Sequence, residues 1–249
     1  MRLLVERGGG KDLETAGTRR RNDLQVYLAL ANLRKRVPLG QLSPTLRLDI
    51  RTFFGDYPAA LAKGVELLYA AGDAGEIALA CEDLNLGWQD EQALYVHRSL
   101  VPDLPGVLRA YVGCAAALFG DVEQADLVKL HKESGKVTFL TYDDFENKPL
   151  PELQHRIKVN LRTRWVEAFD HRPSGQLLYY KERFLHPAHP QRATCEKLSA
   201  KLRKLNIPEG LLEGPPKDQL ARLRTVHGLN ENLNRIRTSN AAHQAAGRL

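Results

Sequence analysis

The stretch DLVKLHKESGKVTFLTYDDFE, running from Asp126 to Glu146, is where the period of the chain changes. Upstream, apolar residues recur at helical intervals. Within it they alternate, which is the mark of strands with one buried and one wet face. LVKLH and KVTFLTY read as two short strands joined by KESG, and Gly135 supplies the positive backbone angle that a tight hairpin needs. The same 21 residues crowd Lys129, His131 and the carboxylates Asp143, Asp144 and Glu146 into a small space. They could be a chemical site, a nucleic-acid surface or a plain hairpin.

Downstream the alternation continues. RIKVNLRTRWVEAF reads as one long strand, with Ile157, Val159, Leu161, Trp165 and Phe169 on one face. Lys158, Asn160, Arg162 and Arg164 fall on the other. QLLYYKERFL is expected as a fourth strand, turned back at HRPSG. Short connections make the sheet antiparallel. After HPAHP the helical period returns in QRATCEKLSAKLRKL and PPKDQLARLRTVHG.

Upstream of the hairpin the pattern is helical. RNDLQVYLALANLRKR places Leu24, Leu28 and Ala31 on one stripe. In SPTLRLDIRTFFG, Ser43 is an N-cap, Pro44 opens the helix and Gly55 stops it. YPAALAKGVELLYAAG ends at Gly72. Asp73, three residues before Glu76, starts a fourth helix. LYVHRSLVPDLP is apolar and extended, and PGVLRAYVGCAAALFG is a helix from Pro105 to Gly120. The reading is α+β: a flexible leader over 1–21, a helical region over 22–120, an antiparallel β region of about four strands over 121–190, and two C-terminal helices with a tail over 191–249. One compact domain is expected from 22 to about 228.

The 249 residues carry a net charge of +6 and a pI near 9.2, a mild preference for anionic partners. The charge is segregated. Between Gly72 and Pro105 seven Asp/Glu face one Arg; between Arg156 and Lys204 twelve Lys/Arg face four Asp/Glu. Three scattered cysteines (Cys81, Cys114 and Cys195) do not make a disulfide framework and favour a reducing cytoplasm. No apolar run is long enough for a membrane helix.

Strand alternation brings Lys158, Arg162 and Arg164 together, and the simplest strand order adds Lys129, His131, Lys181 and Arg183. Tyr142 and Tyr179 are the expected stacking surfaces among them. Such a face suits a phosphate backbone, so a nucleic acid is the expected partner. A competing enzyme reading puts chemistry on Lys129, His131, Asp144 and Glu182, as in a nuclease. The acids, however, crowd one strand end, where Asp commonly caps turns, and ESGK has the wrong spacing for a strand-borne acid and lysine. His186, His189 and Cys195 lack an evident fourth zinc ligand. His97 reads as buried and hydrogen-bonded rather than as a base. The leader LLVERGGGKD has glycines without the βαβ context of a cofactor loop, so no cofactor is expected.

The blocks RNDLQVYLALANL, FFGDYPAAL, LYVHRSLVPDLPGVLRAYVGCAAAL, DLVKLH, KVTFLTYDDF and KERFL, in this order from about Asn22 to Arg237, resemble the C-terminal portion of the bacterial DNA phosphorothioation-associated methyltransferase-like family. The resemblance implies a place in DNA modification and defence. It also implies DNA as partner, and either a separate methyltransferase-like subunit to dock onto or a shortened remnant of the family, because helical family blocks begin by residue 22 and leave no room for the family's S-adenosylmethionine domain. The chain departs from the family pattern at Tyr179–Glu182, where YYKE replaces an HRKE-like string, and at RPSG, which replaces a DNPP-like turn.

Overall fold

A computed structural model describes residues 10–34, 38–82, 84–120, 122, 124–210 and 214–226. Helix α1 spans Gly10–Arg34. The expected leader is therefore helical from residue 10, and residues 1–9 lie outside the described residues. KDLETAGTRRRN contains no proline, and two long-range pairs hold this part of the helix. Arg19 meets Asp103 at 2.8 Å and Arg20 meets Asp49 at 2.6 Å.

Helix α2 is Pro44–Phe54, with Ser43 Oγ accepting from the Leu46 amide and Gly55 at φ 84 closing it. Helix α3 is Tyr57–Gly72, capped by Asp56. Helix α4 is Ala74–Glu82, and Asp73 Oδ1 accepts from the amides of Gly75 and Glu76. Helix α5 is Gly106–Phe119, ended by Gly120. These caps use the residue types that satisfy orphan amides and permit a reversed backbone. Leu24 and Leu28 of α1 pack with Leu42, Ile50, Ala60 and Leu61. The approach of α1 to α3 depends on Gly64, where a Cβ would sit 3.0 Å from the Ala29 amide nitrogen.

The sheet has six antiparallel strands in chain order: β1 Trp88–Gln89, β2 Ala93–His97, β3 Leu127–His131, β4 Lys136–Tyr142, β5 Leu153–Asn160 and β6 Trp165–Asp170. It begins inside the segment expected to be helical, and β2 is the extended LYVH stretch. One face carries Leu94, Val96, Val128, Leu130, Val137, Phe139 and Val159 against α3, α4 and α5. The other carries Ala93, Tyr95, Leu127, Leu140, Tyr142 and Leu153 against Leu178, Phe184, Leu185 and Cys195.

Two expectations about strands fail. The long run from 156 to 169 is a hairpin, β5 and β6, and not one strand. Asn160 pairs with Trp165 across a four-residue turn whose amides at Arg162 and Thr163 donate to Asn160 Oδ1. QLLYYKERFL is not a strand either. A single bridge joins Leu177 to Glu152, Tyr180 is left-handed at φ 53, and Lys181–Phe184 is a 3-10 turn. Leu177 to Lys181 are all buried, so this segment has no wet face and gains nothing from alternating. Helices α6, Arg192–Lys204, and α7, Lys217–Val226, complete the described fold as expected. Around them Leu150, Tyr179, Tyr180, Leu198, Leu202 and Leu220 form a fourth apolar cluster.

Candidate nucleic-acid interface

Residues paired across antiparallel strands share a face, so the registers place the side chains. One row runs Tyr95, Lys129, Thr138, Lys158 and Glu167 from β2 to β6. The row toward the β3–β4 turn holds Ala93 and His131, then Lys136, Asn160 and Trp165. The row on the other side holds Leu127, Leu140, Arg156 and Phe169. All belong to the face whose β2–β4 end is covered by residues 178–195. At the β5–β6 end the residues are polar or aromatic and reach solvent.

Lys129, His131 and Lys158 therefore come together as expected, joined by Lys136 and Arg156. The charges that act on His131 are those of Lys129, Lys136, Lys158 and Asp90. Burial, then the three lysines, push its pKa down to about 4, so the ring is neutral near pH 7. Its Nε2 lies 3.2 Å from Thr138 Oγ1. His131 thus sits beneath the cations as an uncharged group. Lys129 lies over the Tyr95 ring at 4.8 Å and Lys158 over Phe169 at 5.0 Å. Among the described residues Lys136 and Lys158 form no ion pair.

The turn arginines behave differently. Arg162 Nη2 donates to the Glu133 carbonyl at 2.7 Å, and its side chain crosses Gly135, where φ is 68 and a Cβ would meet Arg162 Cγ at 2.9 Å. It stands at the rim of the cationic group. Arg164, at φ 55, lines a cleft of about 540 Å³ on the helical side with Leu33, Cys114, Leu118 and Leu161. It is away from the lysines. The alternating strand had put it beside Lys158; the turn sends it elsewhere.

Two further expected phosphate contacts are taken up by the fold. Lys181 is 1 % exposed; its ammonium donates to the carbonyls of Phe145 and Lys148 and packs on the Phe145 ring at 4.3 Å. Arg183 lies over the Trp88 ring at 4.5 Å and donates to the carbonyls of Tyr180 and Glu209. Tyr142 and Tyr179 are buried, so neither offers a stacking surface, and Tyr179 Oη donates to the Pro215 carbonyl at 2.7 Å.

The candidate catalytic group does not assemble. Glu182 is buried and accepts from Ser199 Oγ at 2.8 Å. Asp144, at φ 46, accepts from Asn147 in the β4–β5 connection, the turn role that its position suggests. Asp143 likewise pairs with Lys148 and accepts from the Glu152 amide.

Beside this connection lies a buried polar group. His97 accepts at Nδ1 from the Ser99 amide and stacks on Phe145 with ring centroids 5.1 Å apart. Glu146 lies 3.6 Å from its Nε2 and 3.4 Å from His189 Nε2. Burial lowers the His97 pKa to about 4. Ser99 Oγ is 2.7 Å from Nδ1, brought there by the 3-10 turn starting at Arg98. The rings of His186 and His189 accept from the amides of Ala188 and Gln191. Among the described residues no group of three or more His, Cys, Asp or Glu is placed to hold a metal ion.

Sequence reasoning missed Lys136, Arg156, Trp165 and Phe169. The signal was Asn160 followed by Thr163: a side chain that caps a turn, in a run read as continuous strand. Comparison with family models, curated proteins and solved structures finds no match to the chain.

Proposed function

We propose that the protein is a DNA-interaction or accessory module of a bacterial DNA modification system, holding a phosphate backbone on the solvent end of its sheet. The observation that carries this is the row from Lys129 through Thr138 to Lys158, flanked by Lys136 and Arg156 on the same face. A cation group fixed on strands neutralises phosphates at several points and releases their counterions. The resemblance to the phosphorothioation-associated family supports the modification context and a separate methyltransferase-like subunit as partner. The three free cysteines support a cytoplasmic location, and among the described residues no helix is long and apolar enough to cross a membrane.

The test is a binding titration with a DNA oligonucleotide over a range of salt. Lys136→Ala/Lys158→Ala is expected to bind more weakly and to flatten the log K against log salt line by about 2, roughly one per lysine. An unchanged slope removes this face from the proposal. Lys181→Met is the matching control, expected to leave the slope of the folded protein intact.

A second reading, docking to a protein partner, is favoured by apolar side chains left open on the helical half. Tyr69 is 79 % exposed, and Leu48 and Leu79 are exposed with it. Co-purification that survives Tyr69→Ser and Leu79→Ser would set that surface aside.

A further inference from the structure

We infer that the strand held on this face is unpaired DNA, with bases stacked on Trp165 and Phe169; this rests on the DNA reading above and names its substrate class. Trp165 is 64 % exposed and Phe169 is 39 % exposed, so both rings are open to a stacking partner. Both stand on the edge strand β6, on the face that bears the lysines. Trp165 is opposite Asn160, whose other neighbour is Lys136; Phe169 is opposite Arg156.

The face is divided by chemistry. Cations occupy β3, β4 and β5, and aromatic rings occupy β6. Between the rings lies Glu167, opposite Lys158, and its carboxylate repels a phosphate running along the edge. The sugar-phosphate chain therefore follows β5 and the Lys136 end of β4, where the face is open, and the bases turn outward over β6. Four residues of strand separate the rings by about 13 Å, so they take two different bases and do not clamp one. A duplex keeps its base faces inside its own stack and offers these rings nothing; an unpaired strand offers a π-face at every nucleotide. The contact of Lys158 with Phe169 keeps a cation within reach of the phosphate belonging to a base placed there.

The experiment uses the full chain with a 20-residue oligothymidylate, a duplex of the same length and an oligouridylate. Tryptophan fluorescence is expected to be quenched by the oligothymidylate. Trp165 is the ring that a stacked base can reach and quench, because Trp88 is half-buried beneath Arg183. Trp165→Ala and Phe169→Ala are each expected to weaken single-strand binding about 5- to 150-fold while leaving duplex affinity unchanged. Trp165→Phe, which keeps a ring, should retain most of the affinity. Salt-sensitive binding that ignores strandedness and both ring substitutions overturns stacking but leaves the phosphate contacts standing. No binding of any oligonucleotide at low salt overturns both readings. A preference above tenfold for oligouridylate overturns the assignment to DNA.

Discussion

At the scale of single residues, Lys181 teaches most. Read in the sequence YYKERF, a lysine among polar neighbours looks like a surface cation. In the fold its stem is enclosed, and its ammonium satisfies two carbonyls of the β4–β5 connection. Burial lowers its pKa, opposed by the nearby charges of Glu146, Asp126 and Asp144. Lys181→Met leaves two buried acceptors without a donor and is expected to cost about 2–4 kcal/mol in urea denaturation. A stability within a few tenths of wild type would show that the two carbonyls find other donors. His97 and His131 supply a pH dependence. Both have folded pKa values near 4, well below the ordinary 6.5. The unfolded chain therefore binds more protons between those values, and stability is lost as pH falls from about 6.5 to 4, by up to about 3 kcal/mol for each ring. Asp126, raised by burial, works in the opposite sense above the usual carboxylate range. Denaturation series at pH 7 and pH 4.5, with His97→Gln/His131→Gln as reference, check this: the double variant should lose less on acidification.

At the scale of elements, punctuation was legible and parity was not. Ser43, Pro44, Gly55, Asp73 and Gly120 act at helix ends through local chemistry that a sequence shows directly. The β3–β4 turn at Gly135 was equally plain. The β5–β6 hairpin was not, because Arg162 and Arg164 preserve a polar alternation straight through the turn. Four turn residues between paired Asn160 and Trp165 put even-numbered residues of β5 beside odd-numbered residues of β6. That one event moved Trp165 and Phe169 from the expected apolar face to the lysine face. It also took Arg164 away. The buried apolar run at 177–180 failed for a related reason: a segment enclosed on all sides carries no period from which its backbone can be read. The β1–β2 hairpin gives a sharper constraint. Gly87 has φ 75, and a Cβ there would lie 2.2 Å from the Tyr95 carbonyl oxygen. Gly87→Ala is expected to destabilise the fold by about 2–4 kcal/mol, read as a lower denaturation midpoint. A neutral result would mean that β1 can detach without cost to the rest of the sheet.

For the whole molecule, the sheet works as a partition. Helices α3, α4 and α5 close one face, and residues 178–195 close part of the other, leaving the β5–β6 end to solvent. The charge segregation noted in the sequence maps onto this division only in part. The acidic stretch from Gly72 to Pro105 spans α4, β1 and β2, whereas the basic stretch splits among sheet, turn, buried segment and helix α6. Composition could say that cations are abundant after residue 156. It could not say that Lys181 and Arg183 would be consumed internally while Lys136, outside that stretch, would join the face. Salt-dependent binding is a property of that assembled face, which is why the lysine double substitution and the Lys181 control must be compared on the same protein.

The strand order has a consequence for how the chain is made. Because β1 to β6 lie side by side in the order of synthesis, each strand finds its neighbour waiting, and the ladder can grow as the polypeptide leaves the ribosome. The cover for Tyr95, Leu140 and Leu153 arrives only with residues 178–195. A nascent chain halted near residue 170 would thus present a finished ladder with a bare greasy underside, the state most prone to capture by chaperones or by its own kind.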